Sequence, residues 1–514
     1  MEIHDLLSEV DSISITGPVT GDVTSIVQNS RDVVPGSCFV AIAGRVTNGH
    51  RYIHDALERG AILIVGEEPA PTDFPSGATY VRVRDSRSQL ATLAAIFYGK
   101  PSERMEVIGV TGTDGKTTTT KLIEAIFSAA GRRTGLMTTV DFKVGTRNWP
   151  NNTRFTVLEA PEVQKLLASM VDDGVDCAVL ETTSSALELQ RVRDVAYDVA
   201  VITNITQEHL EVHGSLEAYR RAKAMLFEAV QPDHQKPTPM PIPHACVLNA
   251  DDSSCDYLRP FCKAPVVTYG IEQRADVSAD DLRLGADGSS FRVSFPDGTN
   301  RQFATPLVAR FNVSNCLAAL TVGYLHQVSL DVMAEALARF EAVPGRMERI
   351  EAGQPFTTVV DYAHTAESLE LVLQVLRPLT SGKLIVVFGS AGERDRVKRP
   401  QMGRVAAHLA DFAVITDEDP REEDAASILR EIAEGAQAAG AVEGKQFVCV
   451  VGRREGIARA LAMAQSGDTV LLAGKGHEQS LIVGREKLPW DDRVVAREEL
   501  ARLGFSQVAS AAEP

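Results

Sequence analysis

The chain has 514 residues and a formal net charge of −17, and 44% of its residues are hydrophobic. This length predicts about three domains. The charge argues against nucleic acid as a partner, because duplex binding needs a basic face. No apolar run reaches the roughly 20 residues that span a bilayer, and the acidic N-terminus lacks the features of a signal peptide. The seven cysteines form no C-x-x-C pair. We expect a cytoplasmic monomer with reduced thiols and no nucleic-acid or membrane partner.

Three successive segments show the patterns of separate α/β domains. Residues 1–102 mix strand patterns such as "CFVAIAG" with the helix pattern "YIHDALERGA", and Gly99 and Pro101 interrupt the chain at the end of this segment. Residues 103–342 alternate strands and helices, which favours a parallel sheet covered by helices. Residues 343–514 alternate in the same way, and polar clusters follow the apolar strands at the edge where such sheets bind ligands. The predicted fold class is therefore α/β, with a mixed N-terminal domain, a central phosphate-loop domain and a Rossmann-like C-terminal domain.

The stretch "GVTGTDGKTTTT" nearly matches a phosphate-binding loop. Its first glycine, Gly109, lies one residue too far from Gly115 for the usual pattern G-x-x-x-x-G-K-[ST]. The flanks "MEVIGV" and "TTTTKLIEAIFSAAG" nevertheless predict a strand and a helix, and a helix N-terminus aims its backbone N–H groups at a phosphate. Lys116 would then reach the outer phosphates, and the Thr117 hydroxyl would reach Mg²⁺. A glycine- and threonine-rich turn without a ligand is the alternative.

Two later stretches carry candidate metal ligands. In "DCAVLETTSSAL" an apolar strand ends at Glu181, where a carboxylate is well placed to hold Mg²⁺, although an acidic residue at the start of a loop is the commoner case. The stretch "TNITQEHLEVHGS" supplies His209 and His213. A lone histidine is usually structural, and the spacing alone assigns neither of them a function. These residues together predict a Mg²⁺-dependent nucleotide enzyme.

Several segments in succession resemble the Mur ligases. The family's loop reads T-G-T-N-G-K-T-T, from which "TGTDGKTT" differs only at Asp114. The family form G-x-x-G-x-x-G-K-T explains the failed match, because Gly109, Gly112 and Gly115 satisfy it. Further matching segments are "NSRDVVPGSCFVAIAG", "ETTSSALELQRV", "TNITQEHLEVHGSLEAYRRAKAMLF", "RFNVSNCLAAL", "VPGRMERI", "VVDYAHTAESLE", "GSAGERDRVKRPQMG", "DEDPR" and "GKGHE". They cover nearly the whole chain in the family's order.

The resemblance implies a three-domain, ATP-dependent amide-bond ligase of peptidoglycan precursor synthesis. The N-terminal domain would bind the UDP end of UDP-MurNAc-L-Ala-D-Glu, the central domain ATP, and the C-terminal domain a diamino acid. ATP would phosphorylate the D-glutamyl carboxylate, and the amine of the diamino acid would attack the acyl phosphate. The products would be an amide, ADP and phosphate.

The resemblance also implies roles for individual residues. The catalytic residues would be Lys116, Lys223 and His209. The metal site would comprise Thr117, Glu181, His209 and Lys223, with Lys223 carbamylated; a solvated helix lysine is the alternative for this residue. ATP would contact Thr111, Gly112, Thr113, Asp114, Gly115, Lys116, Thr117, Asn312, Arg346 and Asp361. The UDP-dipeptide would contact Ser30, Arg45, Thr156, Thr183 and Arg191. The diamino acid would contact Arg394, Glu418, Asp419, Pro420, Arg421, Gly474 and Glu478.

The chain departs from the family pattern near the expected dipeptide and amino-acid sites. Val157 and Leu158 replace the second threonine and the proline of T-T-P-E, and Ser185 replaces the histidine of S-S-H-A-L. These changes leave open a paralogue with another acceptor, or one that binds nucleotide without catalysis. The family's D-N-P-R motif reads Glu418-Asp419-Pro420-Arg421 in this chain, so Asp419 replaces the asparagine. Arg421 suits the distal carboxylate of meso-diaminopimelate, whereas Asp419 would favour an ammonium and hence lysine or ornithine. We expect meso-diaminopimelate.

Overall fold

The computed structural model describes residues 1–44, 47–153, 155–206, 213–238, 241–285 and 287–505. These residues divide into two compact units. The first unit comprises Met1–Arg283, Ser290–Thr305 and Arg310–Phe340, and the second comprises Leu284–Ser289, Pro306–Ala309 and Glu341–Pro514. Within the described ranges, no helix is both long and apolar enough to cross a membrane.

The N-terminal sheet has five strands in the order β1-β5-β4-β3-β2. The strands are β1 (Ser12–Thr16), β2 (Ser25–Val27), β3 (Ser37–Val40), β4 (Leu63–Gly66) and β5 (Thr79–Val83), and the helices are α1 (Ile3–Leu6), α2 (Ile53–Glu58) and α3 (Ser86–Phe97). Only β1 runs antiparallel to its neighbour. Alternate residues of β3 enter different cores, because successive side chains of a strand point to opposite faces: Cys38 and Val40 pack in one cluster and Phe39 in another.

The central sheet has eleven strands in the order β16-β15-β14-β13-β12-β11-β6-β10-β7-β8-β9. Its strands are β6 (Glu106–Thr111), β7 (Thr134–Met137), β8 (Asp141–Val144), β9 (Arg147–Pro150), β10 (Cys177–Glu181), β11 (Val199–Ile202), β12 (Ala245–Asn249), β13 (Val266–Gly270), β14 (Val277–Gly285), β15 (Gly288–Ser294) and β16 (Asn300–Thr305). Its helices are α4 (Lys116–Ala129), α5 (Ala160–Asp172), α6 (Ser184–Glu188), α7 (Leu216–Ala229), α8 (Ser254–Leu258), α9 (Arg310–Leu325) and α10 (Leu330–Ala338). Strand β6 lies between the parallel strands β10 and β11, and their carboxyl ends therefore meet at one edge.

The C-terminal sheet has six strands in the order β17-β18-β22-β19-β20-β21, and all pairs except β17 with β18 are parallel. Its strands are β17 (Glu348–Arg349), β18 (Thr357–Asp361), β19 (Leu384–Phe388), β20 (Phe412–Thr416), β21 (Phe447–Val450) and β22 (Thr469–Ala473). The helices of this part are α11 (Ala366–Leu376), α12 (Lys398–Leu409), α13 (Ala425–Ala438), α14 (Arg453–Met463) and α15 (Asp492–Arg502). An antiparallel hairpin of β23 (Ser480–Val483) and β24 (Glu486–Pro489) follows β22.

The helices packed on mainly parallel sheets confirm the predicted α/β fold class. The three sheets fall in the three predicted segments, but the first two segments belong to one compact unit. The short pieces 284–289 and 306–309 join the second unit, which no sequence signal suggested. The domain boundaries at residues 102 and 342 therefore stay predictions.

Candidate functional site

The glycine turn lies where the sequence placed it, between the end of β6 and the start of α4. Gly112 has φ +150° and Gly115 has φ +78°, both in the range that side chains rarely adopt. A Cβ atom on Gly115 would lie 2.3 Å from Oδ1 of Asn315. Asn315 of α9 thus packs directly against the turn, and sequence reasoning assigned it no role although it belongs to the quoted "RFNVSN" segment. Its amide also donates to Oδ1 of Asn312, at 3.1 Å.

The backbone of the turn is bound to the residues that follow β11. The Asp114 N–H donates to Oδ1 of Asn204 at 3.0 Å, and its carbonyl accepts from the Thr203 hydroxyl at 2.5 Å. The Thr113 hydroxyl lies 3.1 Å from the hydroxyl of Tyr219. Asp114 itself is an exposed residue. Its contact with ATP stays a prediction.

Glu181 is the polar centre beside the turn. It is 1% exposed, and its Oε2 accepts from the Thr117 hydroxyl at 2.9 Å and from the Thr139 N–H at 3.0 Å. The Thr139 hydroxyl donates to Oε1, again at 3.0 Å, and lies 3.0 Å from the hydroxyl of Thr156. The register of β10 against β6 explains this position, because Glu181 lies opposite Val110. Thr139 is a further residue that sequence reasoning missed.

The oxygen atoms of Thr117 and Glu181 fit Mg²⁺, which prefers hard oxygen ligands and keeps several waters. Across the described ranges, no group of three or more histidine, cysteine or acidic side chains could hold a metal by itself. A two-ligand protein site is nevertheless typical of Mg²⁺ bound together with substrate phosphates. Lys116 lies beside this pair and donates from Nζ to the Thr113 carbonyl at 2.6 Å.

Lys223 of α7 is 1% exposed, so the alternative of a solvated helix lysine is wrong. Its Nζ donates to the Gly112 carbonyl at 2.7 Å and lies 4.4 Å from the ring centroid of Tyr219. An ammonium group has no lone pair to offer a cation. Lys223 therefore fits a metal site only in carbamylated form, in which its end group is a carboxylate.

Two predicted site residues, His209 and Arg45, lie outside the described residues. The neighbouring His213 is buried: its Nε2 lies 3.1 Å from the Ser184 hydroxyl, and its Nδ1 lies 3.2 Å from Oε2 of Glu188. These contacts join α6 to the start of α7. They agree with a structural role for His213.

The residues predicted for the UDP-dipeptide are only partly brought together. Arg191 donates to the carbonyl of Val157 at 3.1 Å and forms an ion pair with Glu159, and its guanidinium lies 4.6 Å from the Phe155 ring. Thr183 accepts from the Ala186 N–H as the N-terminal cap of α6. Ser30 lies in the N-terminal sheet region, where its hydrogen bond lowers the pKa of Asp55.

Two of the residues that depart from the family pattern belong to the hydrophobic core. Val157 is buried in the central core, and Leu158 packs against it. Their side chains fill space, and the carbonyl of Val157 still binds Arg191. Because Arg191 binds a backbone carbonyl, this contact does not require a threonine side chain at position 157.

The ATP residues predicted in the second unit are Arg346, which packs on the ring of Tyr362, and Asp361, which precedes that tyrosine in the chain. The Arg346 guanidinium lies 4.6 Å from the ring centroid of Tyr362. Asp361, at the end of β18, accepts from the backbone N–H groups of Met347 at 2.7 Å and Ala363 at 2.8 Å. Their contacts with ATP stay predictions.

Three of the predicted amino-acid residues join the buried Lys475 in an ionic cluster, which we call the Lys475 cluster and which consists of Glu418, Asp419, Lys475 and Glu478. Lys475 Nζ lies 2.8 Å from Oδ1 of Asp419 and 2.6 Å from Oε2 of Glu478. A Cβ atom on Gly474 would lie 3.1 Å from Oε2 of Glu418. Sequence reasoning missed Lys475, although it lies inside the quoted "GKGHE".

Three further residues of the predicted set flank this cluster. Pro420 is buried and Arg394 is exposed. Arg421 has φ +55°, and its backbone bonds to the β23–β24 hairpin through Ile482 and Gly484. The hairpin therefore determines where Arg421 lies.

Three models of Mur ligase sequences match the chain. The Mur ligase family catalytic domain matches residues 22–98, the Mur ligase middle domain residues 110–323, and the Mur ligase glutamate ligase domain residues 345–476. A UDP-N-acetylmuramyl-tripeptide synthetase of Roseiflexus sp. is 48% identical, over 98% of this chain and 100% of that protein. The chain belongs to the Mur ligase family.

Two more relatives agree with this membership of the Mur ligases. The UDP-N-acetylmuramoyl-L-alanyl-D-glutamate--2,6-diaminopimelate ligase of Geobacillus kaustophilus is 42% identical, over 98% of this chain and 100% of that ligase. A solved structure of a ligase with the same printed name superposes with a TM-score of 0.67 at 28% identity, covering 98% of this chain and 100% of that one. The three-domain α/β architecture is therefore confirmed, and the chain is an ATP-dependent Mur-type peptide ligase.

Proposed function

We propose that this chain joins a diamino acid to UDP-MurNAc-L-Ala-D-Glu with conversion of ATP to ADP and phosphate. The observation that carries the proposal is the convergence of Lys116, Thr117, Glu181 and Lys223 around the Gly112–Gly115 turn. A protein that only binds nucleotide needs the turn but not a buried carboxylate and a buried lysine beside it. This convergence favours catalysis over the non-catalytic paralogue.

The proposed reaction begins when a D-glutamyl carboxylate oxygen attacks the γ-phosphorus of ATP and ADP leaves. Phosphoryl transfer involves little covalent chemistry by the protein, so catalysis depends on position and charge. The turn's N–H groups and Lys116 would bind the phosphates and offset the charge that develops on them. Mg²⁺, held by Thr117 and Glu181, would supply further positive charge when bound. The amine of the diamino acid then attacks the acyl phosphate, loses a proton and releases phosphate.

We further propose that Lys223 is carbamylated in the active protein. Its neutral amine would attack CO₂, forming an N–C bond and releasing a proton. ¹³C-bicarbonate should give the wild-type protein a carbamate NMR signal that Lys223→Arg lacks. A wild-type spectrum without that signal, recorded while the enzyme is active, would contradict the carbamate.

The amino acid is proposed to be meso-diaminopimelate, with lysine and ornithine as the competing candidates. Arg421 favours a substrate with a distal carboxylate, because an arginine pairs with a carboxylate through two parallel hydrogen bonds. The relative from Geobacillus kaustophilus also carries diaminopimelate in its name. Since ATP and UDP-linked precursors are intracellular compounds, we place the protein in the cytoplasm. We also propose that it is a monomer without nucleic-acid or membrane partners.

The deciding experiment incubates the purified protein with Mg²⁺, ATP, UDP-MurNAc-L-Ala-D-Glu and each diamino acid in turn. Mass spectrometry should find the UDP-dipeptide heavier by one amino-acid residue, and ADP release should require both substrates. Release of ADP that ignores the UDP-dipeptide, with no mass gain for any diamino acid, would refute the proposed function.

A further inference from the structure

The Lys475 cluster resolves the conflict between Asp419 and Arg421 that the sequence left open. Asp419 alone would draw an ammonium group into the amino-acid site and so favour lysine or ornithine. In the folded chain its Oδ1 is already occupied by Lys475 Nζ at 2.8 Å and by the Ile482 N–H at 3.0 Å. The charge of the Asp419 carboxylate is therefore partly offset within the protein.

Lys475 is suited to this task because it is completely buried and contacts two carboxylates at once. Its Nζ also lies 2.6 Å from Oε2 of Glu478. Burial alone would lower the pKa of Lys475, but the charges of Glu478 and Asp419 outweigh burial and raise it. Lys475 is thus a permanent cation at neutral pH. Burial raises the pKa of Glu478, against the effect of Lys475.

Glu418 is the carboxylate of the cluster that keeps a free oxygen. It is 7% exposed, and its Oε2 has no hydrogen-bond partner within the described part of the chain. A buried acceptor without a partner is costly. A ligand ammonium at this oxygen would satisfy it.

Two further buried side chains close to the cluster add no unbalanced charge to it. Arg453 is fully buried and forms an ion pair with Asp492, at 2.5 Å. His477 is uncharged, because burial lowers its pKa to about 3. Arg346 is a further cation nearby, since its charge helps to lower the pKa of His477. Lys475 is the cation that forms ion pairs with the carboxylates of the cluster, and Arg421 lies on the same loop as Asp419.

We propose that Lys475 is a specificity-determining positioning residue, which offsets one carboxylate charge of the cluster and so favours a diamino acid whose distal end carries both a carboxylate and an ammonium over one whose distal end carries an ammonium alone. Diaminopimelate carries no net charge at neutral pH, whereas lysine and ornithine carry one positive charge. A less negative site therefore favours diaminopimelate, since specificity is a difference of two binding free energies. This inference rests on the proposed function.

The test compares kcat/KM for meso-diaminopimelate with kcat/KM for L-lysine and L-ornithine. Lys475→Met makes the cluster more negative by one charge. The ratio of kcat/KM for diaminopimelate to that for lysine should then fall roughly tenfold, which is the scale of the interaction between two unit charges in a partly buried site. Adding Asp419→Asn to Lys475→Met restores the charge and should return the ratio to within about threefold of the wild type. The KM for ATP should stay the same in both variants.

The control variant removes a similar buried lysine elsewhere. Lys236 is 1% exposed, belongs to the first unit and is paired with the buried Asp198. Lys236→Met should lower the melting temperature and leave the substrate ratio unchanged. It separates the loss of a buried ion pair from the loss of charge beside the substrate.

Asp419→Asn alone keeps the test decisive if Lys475→Met does not fold. This change makes the cluster less negative and should raise the diaminopimelate-to-lysine ratio severalfold, in the direction opposite to Lys475→Met. A ratio that stays within twofold in folded Lys475→Met, or falls in Asp419→Asn, would overturn the inference. A wild-type protein that adds no diamino acid would instead refute the proposed function.

Discussion

At the scale of single residues, Lys116 has an environment that must change when ATP binds. Its Nζ is engaged with the Thr113 carbonyl of its own turn. A phosphate oxygen can replace this carbonyl, because the lysine side chain has freely rotating donors. Lys116 therefore needs no rearrangement of the fold in order to reach a phosphate.

Replacing Lys116 with alanine should lower kcat by about 100-fold or more, the usual loss when a preorganised charge at the reacting centre is removed. Lys121 of the same helix is the matched control, because it pairs with Asp141 and has no predicted contact with ATP. Lys121→Ala should change kcat by less than threefold. Coupled detection of ADP measures both variants, and similar losses in the two would contradict the role of Lys116.

At the scale of elements, the start of α4 depends on glycine for two separable reasons. Gly115 and Gly131 lie at opposite ends of α4 and have nearly the same positive φ, +78° and +81°. A Cβ atom on Gly115 would meet Asn315, whereas one on Gly131 would meet nothing within 4 Å. The pair therefore separates backbone strain from the close approach of α9.

Gly131→Ala should lower the free energy of unfolding by about 1 kcal/mol, the cost of a left-handed backbone for a residue with a side chain. Gly115→Ala should cost more and should also raise the Kd for ATP, because Asn315 and the turn must move apart. Urea unfolding and calorimetric titration measure the two quantities. Equal effects of both substitutions would show that Asn315 does not constrain the turn.

The contact between α12 and the loop that precedes α13 should make stability depend on acid pH. Hydrogen bonds from Arg399, at 2.9 and 3.1 Å, lower the pKa of Glu423 to about 2, from an ordinary value of 4.5. A carboxyl whose pKa is lower in the folded state stabilises that state when ionised. This contribution is complete above about pH 4.5 and is lost as the pH falls towards 2.

When the pH falls from 6 to 3, the melting temperature of the Glu423→Gln variant should therefore fall less than that of the wild type. Glu422 is a suitable control, because it is the adjacent glutamate and pairs with the exposed Arg485. Glu422→Gln should follow the wild-type curve. A wild-type melting temperature that is unchanged over this range would contradict the role of Glu423.

At the scale of the whole molecule, the two compact units have separate hydrophobic cores. Calorimetry should therefore resolve two unfolding transitions, because each unit can unfold cooperatively by itself. A non-hydrolysable ATP analogue with Mg²⁺, at about 100 times its Kd, adds about 2.7 kcal/mol to the state that binds it. The transition of the first unit should rise by a few degrees.

The variant Lys116→Ala identifies that transition, because it should reduce the shift of the first unit. An additional shift of the second transition would support the roles that the resemblance gives to Arg346 and Asp361. Unchanged transitions at saturating analogue would contradict the phosphate-loop assignment.

The sequence predicted the backbone of the candidate site better than the contacts of its charged side chains. The phosphate turn was predictable, because a strand, three spaced glycines and an amphipathic helix are local features. The place of Glu181 was predictable as far as the end of a strand. Its neighbours were not, because the contact with Thr139 depends on the order of β6, β10 and β7 in the sheet.

The sequence by itself determined the α/β fold class, the phosphate turn and the membership of the Mur ligases, since these depend on residue patterns along the chain. Tertiary structure decided that Lys223 is buried, that Val157 is a core residue, and that Lys475 forms an ion pair with Asp419. Burial and charge balance depend on residues far apart in the chain: Asp419 and Lys475 follow different strands of a parallel sheet. The electrostatics of the amino-acid site therefore became visible only in the folded chain.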